Sequence, residues 1–134
     1  MNRKIARENA FLLLFEREIK RDETAEEIFL TATEERELEA DDYVKGVFFG
    51  CNENSAIISE TAEKCFVGWK KERISFVSRA IIYLALYEMM FIDDIPPKVS
   101  LNEAVELSKK YDEDKAYSFV NGVLNRALVE LSLK

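Results

Sequence analysis

Ser75-Phe76-Val77-Ser78-Arg79-Ala80-Ile81-Ile82-Tyr83-Leu84-Ala85-Leu86-Tyr87-Glu88-Met89-Met90-Phe91 is the most apolar stretch of the chain. Val77, Ala80, Ile81, Leu84, Ala85 and Met89 recur at intervals of three and four, the signature of one helix face. A helix this apolar has to be surrounded by others, so it is predicted to be the central core helix. It stops at Asp93-Asp94-Ile95-Pro96-Pro97, because proline disfavours helix at the residue before it. Glu88 lies inside this run. A buried carboxylate needs partners, so it should bond a backbone N–H or a basic side chain.

The neighbouring segments read as helices of the same kind. A first helix is predicted from about Arg3 to Lys20, with Ala6, Ala10, Leu13 and Leu14 as its stripe, widened by Phe11 and Phe15. Thr24-Ala25-Glu26-Glu27 is a capping box opening a short helix through Ala32. Asp41 or Asp42 can cap a third helix from Tyr43 past Cys51. Gly46 and Gly50 weaken that helix, and their spacing of four suits close packing of a neighbour. Ile57, Ile58, Ala62 and Cys65 carry a further helix towards Trp69, which reads as a core residue. Ser100-Leu101-Asn102-Glu103 reads as a second capping box, for a helix through Lys110. Asp112 or Asp114 can cap the last helix, Ala116 to about Leu131. In this reading Asn102 and Glu103 are capping residues, Gly122 allows close helix approach, and Asn121 caps a neighbouring backbone group.

The chain has 134 residues, 48% hydrophobic, which is enough for one domain, 1–134, and too apolar for disorder. No run approaches a membrane span, and the basic start lacks the apolar core of a secretory signal, so a cytoplasmic product is expected. Histidine is absent. That removes Ser-His-Asp and Cys-His nucleophiles, His-ligated zinc and an imidazole base. Cys51 and Cys65 are too few for a disulfide framework and read as core thiols. No companion group makes Glu88 a general base, so neither an enzyme, a metal site nor a cofactor is expected.

The net charge of −7 is unevenly spread. Residues 1–21 hold six Lys/Arg against three Glu, and residues 22–63 hold two against thirteen acidic side chains. Residues 64–79 hold Lys64, Lys70, Lys71, Arg73 and Arg79 against Glu72 alone. Two basic segments in an acidic chain form a local positive field if the fold brings them together, and two separate solvated faces if it does not. The acidic remainder repels phosphate and attracts a basic protein. Arg3, Lys4 and Arg7 crowd a helix N-terminus, where positive charge opposes the macrodipole; an anionic ligand would justify them.

Several motifs occur in a characteristic order: Ala6-Arg7-Glu8 after basic residues, Arg79-Ala80-Ile81-Ile82-Tyr83-Leu84-Ala85-Leu86-Tyr87-Glu88, Asp94-Ile95-Pro96-Pro97-Lys98-Val99-Ser100-Leu101-Asn102-Glu103-Ala104-Val105-Glu106-Leu107, and Phe119-Val120-Asn121-Gly122-Val123-Leu124. Over nearly its whole length the chain resembles the NusB family of transcription antitermination factors. The resemblance implies an all-α fold of about seven helices in two small bundles packed at an angle. It also implies a non-catalytic role: pairing with a ribosomal protein, NusE, and binding boxA-type RNA, so that RNA polymerase, with other Nus factors, reads through termination signals in rRNA operons. Family members often carry an acidic residue at the position of Ser78 and a Tyr at that of Phe15. Ser78 and its neighbours are therefore the expected, altered contact to the ribosomal partner.

On this resemblance Arg3, Lys4 and Arg7 form the basic RNA-binding helix start, able to contact phosphates as point charges or forks. As an exposed helix-end charge, Arg7 should tolerate Arg7→Glu without loss of stability while RNA binding weakens. Phe119 is either a base-stacking aromatic or a core residue, and Lys115, one turn earlier, adds a phosphate-directed charge. Lys70, Lys71 and Arg73 are candidates for the second half of the patch. Two alternatives stand beside this reading. One is a homodimeric helical interaction protein. The other is a stand-alone relative of the RNA-binding domain of rRNA cytosine methyltransferases, whose catalytic βαβ pattern is not present here.

Overall fold

The computed structural model describes residues 1–133, and these contain seven α-helices: α1 (Arg3–Ile19), α2 (Ala25–Leu30), α3 (Asp42–Glu53), α4 (Ser55–Cys65), α5 (Phe76–Phe91), α6 (Pro97–Tyr111) and α7 (Ala116–Glu130). A single π-type turn, Thr31–Glu35, prolongs α2, and a 3-10 turn, Lys71–Arg73, precedes α5. The all-helical expectation holds. The apolar run at Ser75–Phe91 is indeed the centre: ten residues of α5 are buried, and α1, α3, α4, α6 and α7 all pack on it. On one side lie α1, α2 and α3; on the other, α6 pairs with α7, and α7 packs on α4. Among the described residues no helix is long and apolar enough to cross a membrane.

Capping chemistry explains most helix starts. Asn2 Oδ1 accepts the Ile5 N–H at 2.9 Å, Asp41 Oδ1 accepts the Val44 N–H at 2.9 Å, and Ser75 accepts the Ser78 N–H at 3.0 Å. The box at Thr24 closes in both directions, with Glu27 returning to the Thr24 N–H at 3.0 Å. Two predicted starts are corrected. α6 begins at Pro97, not at Ser100: proline at the first helical position needs no N–H partner and has φ already set. Ser100 is thus an interior, buried residue. α7 takes no aspartate cap; Lys115 precedes it in the left-handed region, φ 73°.

The two glycines of α3 play different parts. A Cβ on Gly50 would fall on the Tyr87 phenol ring, so its absence lets α3 close on α5. Gly46 faces open space and supports no close approach, contrary to the sequence expectation. Cys51, next to Gly50, is buried, and burial, with Glu88 nearby, pushes its thiol up; Cys65 is raised by burial too, so both remain thiols.

Gly50→Ala should therefore lower stability by about 1–3 kcal/mol through overpacking, whereas Gly46→Ala should raise it by up to about 1 kcal/mol through helix propensity. Urea unfolding of the two variants checks both signs. Acid titration tests the ion pairs that join separate elements. Glu16 is held below the ordinary carboxylate range, first by its bond to Arg36 from the π-type turn, and Glu8 likewise by Lys110 of α6. A depressed carboxylate stabilises above its unfolded pKa and loses that contribution as pH falls through the folded value. Stability should drop on acidification below about pH 4.5, and less steeply in Arg36→Ala.

Candidate nucleic-acid interface

Helices α1 and α5 lie antiparallel, with Arg7 beside Glu88 at one end and Glu18 beside Arg79 at the other. This pairing decides where the basic segments go. The segment before α5 meets the last turns of α1, while Arg3 and Lys4 sit at its first turn. Fourteen residues of helix, about 21 Å at 1.5 Å per residue, separate Arg3 from Arg17. The two basic stretches converge only in part: Arg17 and Arg21 of the first meet Lys71 of the second, whereas Arg3, Lys4 and Arg7 lie at the opposite end of the helix pair.

At the α1 start the three basic residues have different fates. Arg3 is exposed and its guanidinium lies 4.3 Å from the Tyr43 ring centroid. Lys4 is exposed, 3.6 Å from Glu103. Arg7 is buried, which corrects its reading as a solvated helix-end charge. Its Nε donates to Glu88 Oε2 at 2.8 Å and its Nη1 lies 3.7 Å from Glu103. Burial works against the Arg7 charge, but the bond and charge of Glu88 outweigh it and the guanidinium is held more firmly protonated. Glu88, fully buried, also accepts from Tyr43 Oη and from Ser100 Oγ at 2.6 Å. Burial, then the Glu88 charge, pushes the Tyr43 phenol far up, so it stays a donor. The basic partner expected for Glu88 is Arg7, and two hydroxyl donors that the sequence did not indicate join it.

At the other end, an open groove of about 810 Å³ runs between the start of α5 and the start of α7. Trp69, Arg73, Phe76, Lys115, Phe119 and Arg126 line it. The expectation of a core Trp69 is corrected. Gly68, φ 80°, turns the chain after α4, and the indole is left 55% exposed with its centroid 5.1 Å from the half-buried Phe119 ring. Of the predicted residues, Arg73, Lys115 and Phe119 meet here; Lys70 is exposed beside Trp69. Lys71 instead faces Arg17 and Arg21 in a separate cavity. Acidic Glu72, Asp112, Glu113 and Asp114 also border the groove, so the positive field is confined to the aromatic wall. Gly122 lines the groove without close helix contact.

Ser78 is turned inward. Only 4% exposed, it donates from Oγ to Asp112 Oδ2 at 2.5 Å, and Ser75 Oγ donates to the same oxygen at 3.1 Å. Asp112 thus pins α6 to α5 instead of capping α7, and the exposed neighbours Ser75 and Phe76 remain available to a partner. Sequence reasoning missed the link between the two ends. α6 spans from Ser100, at Glu88, to Asp112, at the groove. Along it Lys110 pairs with Glu8 at 2.5 Å, and Lys109 lies 5.1 Å from the Tyr117 ring centroid. Adjacent lysines in the last turn of a helix were the available signal, and they read equally well as macrodipole partners.

Comparison with known proteins follows this geometry. The NusB family model matches residues 4–128. The transcription antitermination protein NusB of Clostridium perfringens is 41% identical over 130 residues, covering 94% of this chain and 96% of that protein. Its namesake in Bacillus licheniformis is 40% identical over 131 residues, covering 98% and 99%. Among solved structures, T. maritima NusB superposes with a TM-score of 0.85 at 33% identity, covering 97% of this chain and 92% of that one. A complex of the antitermination factors NusB and NusE with double-stranded RNA gives 0.83 at 30% identity, covering 96% of each chain.

The burial of Arg7 reverses the expected outcome of mutating it. Arg7→Met leaves Glu88 buried and uncompensated and should cost about 3–5 kcal/mol, read by urea unfolding; Arg7→Glu should be worse. Unchanged unfolding midpoints would show that the ion pair does not carry the core.

Proposed function

The chain belongs to the NusB family, whose members are antitermination factors and not enzymes, and we propose that it binds boxA-type single-stranded RNA as a heterodimer with the ribosomal protein NusE, promoting read-through in rRNA operons. Residues 1–134 act in this as one RNA-binding domain, at work in the cytoplasm. The observation that carries the reading is the groove in which the exposed Trp69 and the half-buried Phe119 stand beside Arg73, Lys115 and Arg126. Unpaired bases stack on such aromatic faces while the cations take the backbone, a combination suited to single strands.

The remaining contacts follow from the spacing of cations. Lys70 extends the aromatic wall, and Arg3 and Lys4 provide a second anchor at the far end of α6, with Lys109 and Lys110 between. A single strand following that edge touches both ends although they do not converge. Arg7 supports this surface from beneath by holding α1 in place. Lys71 belongs to another face. NusE, a basic partner in this reading, is drawn by the acidic flank around Asp112 to Asp114 and meets Ser75 and Phe76, the exposed neighbours of Ser78. Joined proteins offer RNA a longer surface than either alone, and other Nus factors complete the elongation complex. The solved NusB–NusE–RNA assembly supports the pairing.

Fluorescence anisotropy with a boxA-like RNA, its scrambled control and a duplex, each with and without NusE, tests the reading. Affinity should rise with NusE and favour the unpaired boxA strand. Phe119→Ala should cost about 1–3 kcal/mol of binding, and Lys115→Gln should weaken every RNA and flatten the salt dependence. Equal binding of all RNAs, or a light-scattering dimer that persists when NusE is added, would favour the self-associating alternative.

A further inference from the structure

The cavity facing Lys71 lies away from the groove, between the last turns of α1 and the α3–α4 junction. It measures about 210 Å³ and is lined by Arg17, Arg21, Lys71, Ser55, Ser59 and Tyr83, with Glu18 as its one carboxylate among the described residues. Glu18 is already shared, 3.1 Å from Arg21 Nη2 and 3.8 Å from Arg79 Nη1. Lys71 reaches Glu63 only at 3.9 Å. Among the described residues Arg17 has no carboxylate partner. Its Nη1 reaches the Arg21 carbonyl at 3.5 Å, and its Nε is buried with no acceptor.

The Nε is sealed from solvent and out of a ligand's reach, but the guanidinium charge itself borders the cavity with no carboxylate of the described residues bonded to it, which is unfavourable for a confined cation. The acceptor that suits Arg17 here carries negative charge and several oxygens, because guanidinium, ammonium and hydroxyl donors converge from α1, α4 and the turn before α5. We propose that this cavity binds a phosphate-class oxyanion: inorganic phosphate, or the terminal phosphate of a mononucleotide reaching in from solvent. The volume holds a phosphate with its hydration but lies below the range of pockets that enclose drug-sized ligands whole. Glu18 does not exclude the anion, since hydrogen phosphate retains a proton to donate to a carboxylate. Tyr83 faces it as a donor: burial, then the Glu18 charge, pushes its phenol up to about 12. Neither Trp69, Phe119 nor Lys115 takes part, so the site stands apart from the RNA reading.

The test is a titration of the full chain, followed by ¹H–¹⁵N spectra, with potassium phosphate against potassium chloride at equal ionic strength. Saturable shifts are expected at the amides of Arg17, Ser55, Ser59 and Lys71 with phosphate alone. Arg17→Gln should weaken the apparent affinity by on the order of tenfold, and Arg17→Lys, which keeps charge but loses the fork, by less. Ser59→Glu, which brings a carboxylate to the wall, should abolish binding and serves if the Arg17 variants fail to fold. Adenosine 5′-monophosphate shifting the same amides identifies a nucleotide's terminal phosphate as a source; response to inorganic phosphate alone identifies the free anion. Shifts that do not saturate, or that persist in Arg17→Gln and Ser59→Glu, overturn the proposal and leave a cavity that holds water only.

Discussion

A carboxylate enclosed in an apolar core sets the terms for this molecule. Glu88 sits on the most buried helix, and its charge is tolerable only because α1, α3 and α6 each send a donor to it: Arg7, Tyr43 and Ser100. Moving any of these helices by one residue would strip a partner from a group that cannot reach water. Hydrophobic packing on α5 favours association in many registers. The Glu88 cluster selects one of them, in the way buried polar groups specify packing in some helical assemblies.

The register has consequences at the surface. Because Arg7 is drawn inside to meet Glu88, Arg3 and Lys4 are left at the rim, with Arg3 resting on the same Tyr43 that bonds the buried carboxylate. The same antiparallel pairing carries the basic turn before α5 to the far end of α1. Charge is thereby distributed along an edge instead of gathered at a point. An extended strand can follow such an edge, while the carboxylates of Glu72 and Asp112 to Asp114, which border the groove, confine the field within a screening length to its aromatic wall.

Periodicity made the helices legible, because the outer helices each bury one face around the mostly buried α5, and Thr24 and Asp41 mark two of the starts. The motifs that matched a known family carried the arrangement of those helices. What escaped was non-local. Nothing near Arg7 in the chain distinguishes a buried guanidinium from an exposed one; the distinction lies 81 residues away at Glu88. Trp69 looked like core because aromatic residues usually are, yet a single left-handed glycine before it turns it out to meet Phe119. Ser100 satisfied the pattern of a capping box, but Pro97 begins the helix earlier and frees that hydroxyl for the core. In each case a local rule was obeyed by several residues, and tertiary geometry chose among them.

Lys115 carries a cost of a different kind. A side chain with a Cβ held at φ 73° is strained relative to glycine or asparagine in the same turn, by roughly 1–2 kcal/mol. Selection for thermal resistance alone would replace it, and the replacement would fold better. Keeping a lysine there trades folding free energy for a fixed cation at the mouth of the groove, so attempts to harden this protein by relaxing its turns would blunt the surface those turns present.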